Sequence, residues 1–546
     1  MFAQNAVRGG RRSFAAATPS LFELAMALIV ILGLGFAFVG LAASSYGIDE
    51  LFTLHVIDHQ GGLAEVTRRT LSHTGPPLYY GLLFEWSKLA GLSEVALRLP
   101  SAVFATGAVM LFALGAGAPF SRPARLSAAA VAVCGRFWFI QSQLALGYAL
   151  ALLVSAGLVV LAMALRRRVL EGRSPWSIWT GLTLLSLTGA MVHFYLALEA
   201  GLVVGFLVLT TGPLRLRLAL LGSGLVCVAV TATYGAALLS HTQEDIEHMG
   251  FGVGSGFLVR QALLALRDVY GPLSAAAMIV VMVGALVRAR KGLREGAPVR
   301  TLIAPDLTWA AGLAAFVLAG MAALGVAASL AVAPSFSGRS LLVAAPMVWL
   351  LTAVAFELGG FRRQGPPQPA LVLGMVLLLG ASQTQQIQGR FLPRGEEWRA
   401  SARYVDETKA CRGRAIPVLA PPRYGPPTPY FMRLAQQAFY GRYAASPQRL
   451  VPFAISDVAA SARPDLAALW KERLSSDAAR CPILAAQVHG LSPGQAEGLR
   501  RAIASAIGAP QDRVVMRSFP HFRLKLLGWR AQPGAYIYLA RRAGPG

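Results

Sequence analysis

Asp49 and Glu50 stand side by side at the start of a polar stretch, residues 44–80, that follows directly on a long apolar run and ends with His73, Pro76 and Pro77. Desolvating a carboxylate pair at the mouth of a membrane helix is costly, so its presence there argues for chemistry at the bilayer surface. The plainer alternative is capping, because acids favour the first turn of a helix. His73 is either an anion ligand or a solvated loop histidine. Pro76 and Pro77 suit the start of a helix.

The elements that must hold these residues are set by composition. The chain has 546 residues, of which 55% are hydrophobic and only 14% charged, and its mean hydropathy is +0.54. That places it among polytopic membrane proteins rather than soluble multidomain ones. Its net charge of +24 is expected from basic residues gathered in short loops on one side of a membrane, not from binding nucleic acid.

The apolar run 21–43 is too long for a signal-peptide core and predicts a retained first helix, with Arg8, Arg11 and Arg12 holding its start in the cytoplasm. Further spans are predicted near 98–120, 126–143, 148–165, 176–192, 194–212, up to 240, 272–289, 307–332, 340–357 and 369–385, about eleven in all. Every second short loop is arginine-rich, as at 166–168, while the intervening loops carry Asp49, Glu50, Glu244, Asp245 and Glu247. This alternation places the first loop, 44–97, outside, and an odd span count places the tail outside as well. Residues 76–97 are apolar but interrupted by Glu85, Lys88 and Glu94, which predicts an amphipathic helix lying in the interface. Cytoplasmic-membrane residence follows, with a membrane domain over 1–385 and an extracytoplasmic domain over 386–546.

The tail alternates short apolar runs, 415–420 and 481–488, with helical stretches, and its 535–542 segment reads as a last strand, which predicts a mixed α/β domain. Cys411 and Cys481 both lie in it, either as a disulfide or as two free thiols. No CxxC pair, HExxH, P-loop or GxGxxG after a strand is present, which disfavours zinc and a nucleotide donor held by a Rossmann domain.

An acidic pair just past the first span, the PPLYY segment at 76–80 and SEVALRLPSAVF at 93–104 together resemble the GT-C glycosyltransferases. The similarity is to the bacterial branch of the dolichyl-phosphate-mannose protein mannosyltransferases and to the lipid A aminoarabinose transferases. It continues through QSQLALGYAL (141–150), HFYLAL (193–198), PSFSGRSLLVAAP (334–346) and EEWRASARYV (396–405), and it covers the membrane half far better than the tail.

The resemblance implies a polytopic α-helical GT-C-like fold and transfer of a sugar from a polyprenyl-phosphate carrier to an acceptor on protein, lipid or envelope glycan at the outer face. Asp49 would be the base and Glu50 a neighbour that positions the acceptor or tunes it. A hydroxyl is a poor nucleophile and a lipid phosphate a tolerable leaving group, so one positioned carboxylate suffices. Arg339 matches a basic residue in a Pro-x-x-x-x-Arg pattern and is expected on the donor phosphate. Relatives usually follow it with Tyr, where Ser340 stands here.

Arg98 either meets that phosphate or snorkels to the headgroups, and Tyr148 either stacks on substrate or sits in the aromatic belt. Where some relatives carry another acid, this chain offers Gln143, Leu144 and Gly147, so no obligatory metal or other cofactor is expected, with a divalent metal left open. His193 and His241 are either ligands to such a metal or simply solvated or hydrogen-bonded. Two other classes stay open. A carrier or flippase for lipid-linked sugars should show buried charge or paired broken helices at mid-bilayer, and the sequence displays neither; a non-catalytic scaffold would not need Asp49-Glu50.

Overall fold

A computed structural model describes residues 20–57, 61–73, 75–117, 119–248, 255–294, 304–331, 336–358, 369–395, 397–420, 441–445, 448–452, 468, 470–471, 481–487, 491–525 and 528–541. The chain is a helical membrane protein with a small mixed sheet at its C-terminal end.

The first helix, α1 (Leu21–Phe36), begins with a capping box in which the Ser20 side chain accepts from the Glu23 N–H. Three short helices follow in the first loop: α2 (Ile48–Val56), α3 (Gly62–His73) and α4 (Leu78–Ala90). At 13 residues α4 is too short to span. It is the interfacial helix expected over 76–97. Next come α5 (Glu94–Gly115), α6 (Arg122–Val133), α7 (Arg136–Gln141) and α8 (Tyr148–Leu170), the last ending on Arg167 and Arg168 beside its own carbonyls.

The helices α9 (Trp176–Val192), α10 (Phe194–Thr210), α11 (Leu214–His248), α12 (Ser255–Tyr270), α13 (Pro272–Arg294) and α14 (Pro305–Ala331) complete the middle of the chain. A single turn, α15 (Gly338–Leu342), then precedes α16 (Ala345–Leu358) and α17 (Pro369–Arg390).

Each predicted span falls on one or two of these helices, but their lengths differ. Among the described residues four helices are long and apolar enough to cross a membrane, and a fifth span forms if the pair meeting at Gly271, bent by 88°, is one crossing. The predicted third span breaks at Cys134 and Gly135 into α6 and α7. The stretch 255–270, to which no span was assigned, is a full helix whose exposed face carries Val259, Leu263 and Leu266, an apolar stripe suited to lying on the bilayer.

Helix α17 runs five residues past the domain boundary expected at 385. The tail then forms α18 (Trp398–Glu407), with Trp398, Ser401, Ala402 and Val405 buried at helical spacing. The strands β1 (Ile416–Ala420), β2 (Gln448–Pro452), β3 (Ile483–Gln487), β4 (Val514–Lys525) and β5 (Gly528–Ala540) assemble in the order β2-β1-β3-β5-β4. β1 is parallel to β2 and β3, while β5 is antiparallel to β3 and β4. The helix α19 (Pro493–Ala506), capped by Ser492 and Gln495, packs on this sheet. A disulfide joins Cys411 to Cys481, deciding the question the sequence left open.

The tail is seated directly on the membrane helices. The β4–β5 hairpin places Trp529 over Phe139, ring centroids 6.0 Å apart, and its indole N–H donates to the Gln385 carbonyl at 2.6 Å. Gly389 permits that approach: a Cβ there would stand 2.0 Å from Trp529 Cζ2. The turns after α1 are gripped by cations and amides, as befits the carbonyl-rich end of a helix. Gln143 donates to Ala37 and Val39, Arg399 to Ala42 and Ser44, and Gly40, at φ +71°, lies where a Cβ would meet the Arg390 carbonyl oxygen at 1.8 Å.

Candidate active site

Successive residues of a helix point about 100° apart, and α2 uses this to give its two acids opposite surroundings. Glu50 is buried, at 1% exposure, whereas the Asp49 side chain is 46% exposed.

Glu50 is fully committed. Its Oε2 accepts from the Gly47 N–H at 2.9 Å, closing the cap of α2, and its Oε1 accepts from the Ala145 N–H at 3.0 Å. Arg98 clamps both oxygens, Nε to Oε1 at 2.8 Å and Nη2 to Oε2 at 2.7 Å. The remaining Arg98 donors reach the carbonyls of Leu41, Ser44 and Ser45, and its guanidinium lies 5.3 Å from the centre of the Tyr46 ring. All five N–H groups of a guanidinium are thereby satisfied. Arg98 therefore neither snorkels nor offers itself to a phosphate, and Glu50 does not face an acceptor. The pair is a buried strut between α1, α2, α5 and the α7–α8 loop.

The strut also fixes the loop beyond it. Thr53, one turn along the same face of α2, donates to the Ala145 carbonyl at 3.0 Å, so both polar groups of Ala145 are held by α2. Three residues later α8 opens with Tyr148, and Tyr79 of the PPLYY segment packs beneath Gly147.

Asp49 meets Arg339 across 290 residues of sequence: Arg339 Nη1 donates to Asp49 Oδ2 at 2.9 Å. Tyr148 lies within electrostatic reach of both Arg339 and Asp49. The His193 ring stands 5.5 Å from that of Tyr148. Its Nδ1 accepts from the Tyr195 N–H at 3.2 Å, which leaves the proton of the neutral ring on Nε2. Three of the expected residues, Asp49, Arg339 and Tyr148, are thus brought together, with His193 as a fourth. His73 ends α3, but its side chain lies outside the described residues, as does that of His241.

Gln261 went unnoticed in the sequence because α12 did. Its side-chain oxygen accepts from the Gly338 N–H at 2.9 Å and so anchors the turn bearing Arg339. A second omission is Glu199, buried inside α10 and accepting from the Ser155 hydroxyl. It corrects the expectation that no ionisable group is buried within the spans; a lone acid in an apolar run leaves no periodic trace. Among the described residues no three His, Cys, Asp or Glu converge in a way that could hold a metal.

No known protein family and no curated protein matches this sequence. Among solved structures the chain is similar to the arabinofuranosyltransferase AftD from mycobacteria, at 15% identity and a TM-score of 0.45 over 95% of this chain and 41% of that one. It is similar to ArnT from Cupriavidus metallidurans bound to undecaprenyl phosphate, at 13% identity and 0.47 over 95% and 99% of the two chains. It is also similar to the Archaeoglobus fulgidus oligosaccharyltransferase complexed with zinc and sulfate, at 11% and 0.39 over 93% and 73%. These structural neighbours are GT-C glycosyltransferases. The chain spans less than half the length of AftD.

Proposed function

We propose that this chain is an inverting glycosyltransferase that moves a sugar from a polyprenyl-phosphate donor to an acceptor hydroxyl on the outer face of the cytoplasmic membrane. The acceptor oxygen attacks the anomeric carbon, the bond from that carbon to the phosphate oxygen breaks, polyprenyl phosphate departs, and the acceptor proton passes to Asp49. Arg339 holds the phosphate and takes up charge as it leaves, with Tyr148 and the Nε2–H of His193 alongside.

The observation that carries this reading is the division of labour within one acidic pair. An exposed carboxylate is paired with an exposed guanidinium, while its neighbour is spent on structure. A scaffold would have no use for that exposed pair. A carrier would need more than Glu199 and one bent helix pair.

Sidedness is supported by the alternation of arginine-rich and acidic loops and by the disulfide, since such bonds persist in oxidising compartments. The tail bearing that disulfide touches the Asp49 loop: the Tyr443 hydroxyl accepts from the Tyr46 N–H at 2.8 Å, and Arg442 donates to the Leu92 carbonyl. Tail and candidate site therefore share one side.

A structure of the protein in lipid nanodiscs with undecaprenyl phosphate tests the assignment. Phosphate density bonded to Arg339 and adjoining Asp49 is expected; density lodged away from both would remove the reading.

A further inference from the structure

Resting on the transferase reading above, we propose that Arg339 masks Asp49 until a phosphate-bearing lipid draws the guanidinium away, so that donor binding uncovers the base and the acceptor is activated second. The two ion pairs of the site are built for opposite tasks. Arg98–Glu50 is sealed, with side chains 2% and 1% exposed, and every guanidinium N–H is occupied. Arg339–Asp49 is open, with side chains 60% and 46% exposed, and Nη1 donates to Oδ2. A solvent-exposed pair of this kind shifts an equilibrium by about fivefold at most, so it is easily exchanged.

What would exchange with it is a phosphate. A guanidinium satisfies a phosphate through two parallel N–H bonds, while it gives Asp49 one. The backbone need not move for this. Gly338 is pinned to Gln261, so a swing of the Arg339 side chain alone releases Oδ2. While paired, Oδ2 is held by the guanidinium and an acceptor can reach only Oδ1. An acceptor arriving alone therefore meets a half-covered base, which disfavours activating water or a wrong alcohol before the sugar is in place.

The test is a double-mutant cycle on the affinity for undecaprenyl phosphate, measured with the full chain in nanodiscs. The probe's isoprenoid tail keeps binding measurable when a phosphate contact is lost. Asp49→Asn removes the competitor, so the parent's affinity should tighten by about two- to fivefold. Arg339→Gln should weaken it, and adding Asp49→Asn to Arg339→Gln should change nothing further. An unchanged or weaker affinity in Asp49→Asn overturns the mask. So does a tightening that persists in full without Arg339, because that is plain charge repulsion. Turnover separates this from the wider reading: if Asp49→Asn still transfers sugar the assignment of Asp49 as base falls, whereas loss of transfer without tighter binding sinks the mask alone.

Discussion

The two acids that open the first loop differ by one position and, in the structure, by almost everything else. Adjacency in sequence made them a pair; helical geometry makes one a buried strut and the other a solvent-facing group. Removing one member of a buried, fully bonded ion pair costs about 3–5 kcal/mol, because the charge left behind has no water to turn to. Glu50→Gln should therefore lower the thermal unfolding midpoint sharply, while Asp49→Asn, exposed and weakly paired, should leave it nearly unchanged. Unfolding curves of the two purified variants check this, and equal midpoints would contradict the assignment of roles. Sequence could not make the distinction. The partner of Glu50 lies 48 positions away at Arg98 and that of Asp49 lies 290 away at Arg339, and no local pattern reports either distance.

At the level of elements, what was legible followed from solvent. Long apolar runs marked α5, α8, α11 and α14, and the charges at Glu85 and Lys88 marked α4 as interfacial. What was not legible depended on tertiary contact: the break between α6 and α7, the surface helix α12, and the sheet order, in which β1 pairs with β3 close to a disulfide whose cysteines are 70 residues apart. The EEWRASARYV motif proves to be α18 and its approach, docked by Arg399 on Glu94. Burial at the cap of that helix pushes the Glu397 carboxyl up to about 7, against the pull of Arg399. Between its ordinary value of 4.5 and about 7 the unfolded chain has released a proton that the folded chain keeps, so this residue makes stability fall as pH rises through that window. Glu397→Gln should remove the slope. Its midpoint should exceed the parent's at pH 8, with a gain of at most about 3 kcal/mol, and match it near pH 4. A gain that is the same at both pH values would contradict it.

At the scale of the whole molecule, the membrane supplies a surface and the tail covers it. Arginines from α17, α18 and the link between them reach under the tail to carbonyls and an amide at and just beyond the C-terminal ends of α1 and α7. Burial and the nearby Arg98 bring the Arg394 guanidinium down to about 9, a measure of how closely these cations are packed. This collar and the Arg98–Glu50 strut hold the loop bearing Asp49, and Gln261 holds the turn bearing Arg339, through polar bonds that hydrophobic burial alone would not supply between helices in lipid. The most direct test of the central claim, that Asp49 is the base of a sugar transfer, is mass spectrometry of envelope glycans and lipid-linked sugars from cells carrying either the parent protein or Asp49→Asn. The account predicts that one glycan modification disappears in the Asp49→Asn cells while its lipid-linked precursor accumulates, with the variant protein still present in the membrane. The same glycans at the same abundance in both cells would contradict it.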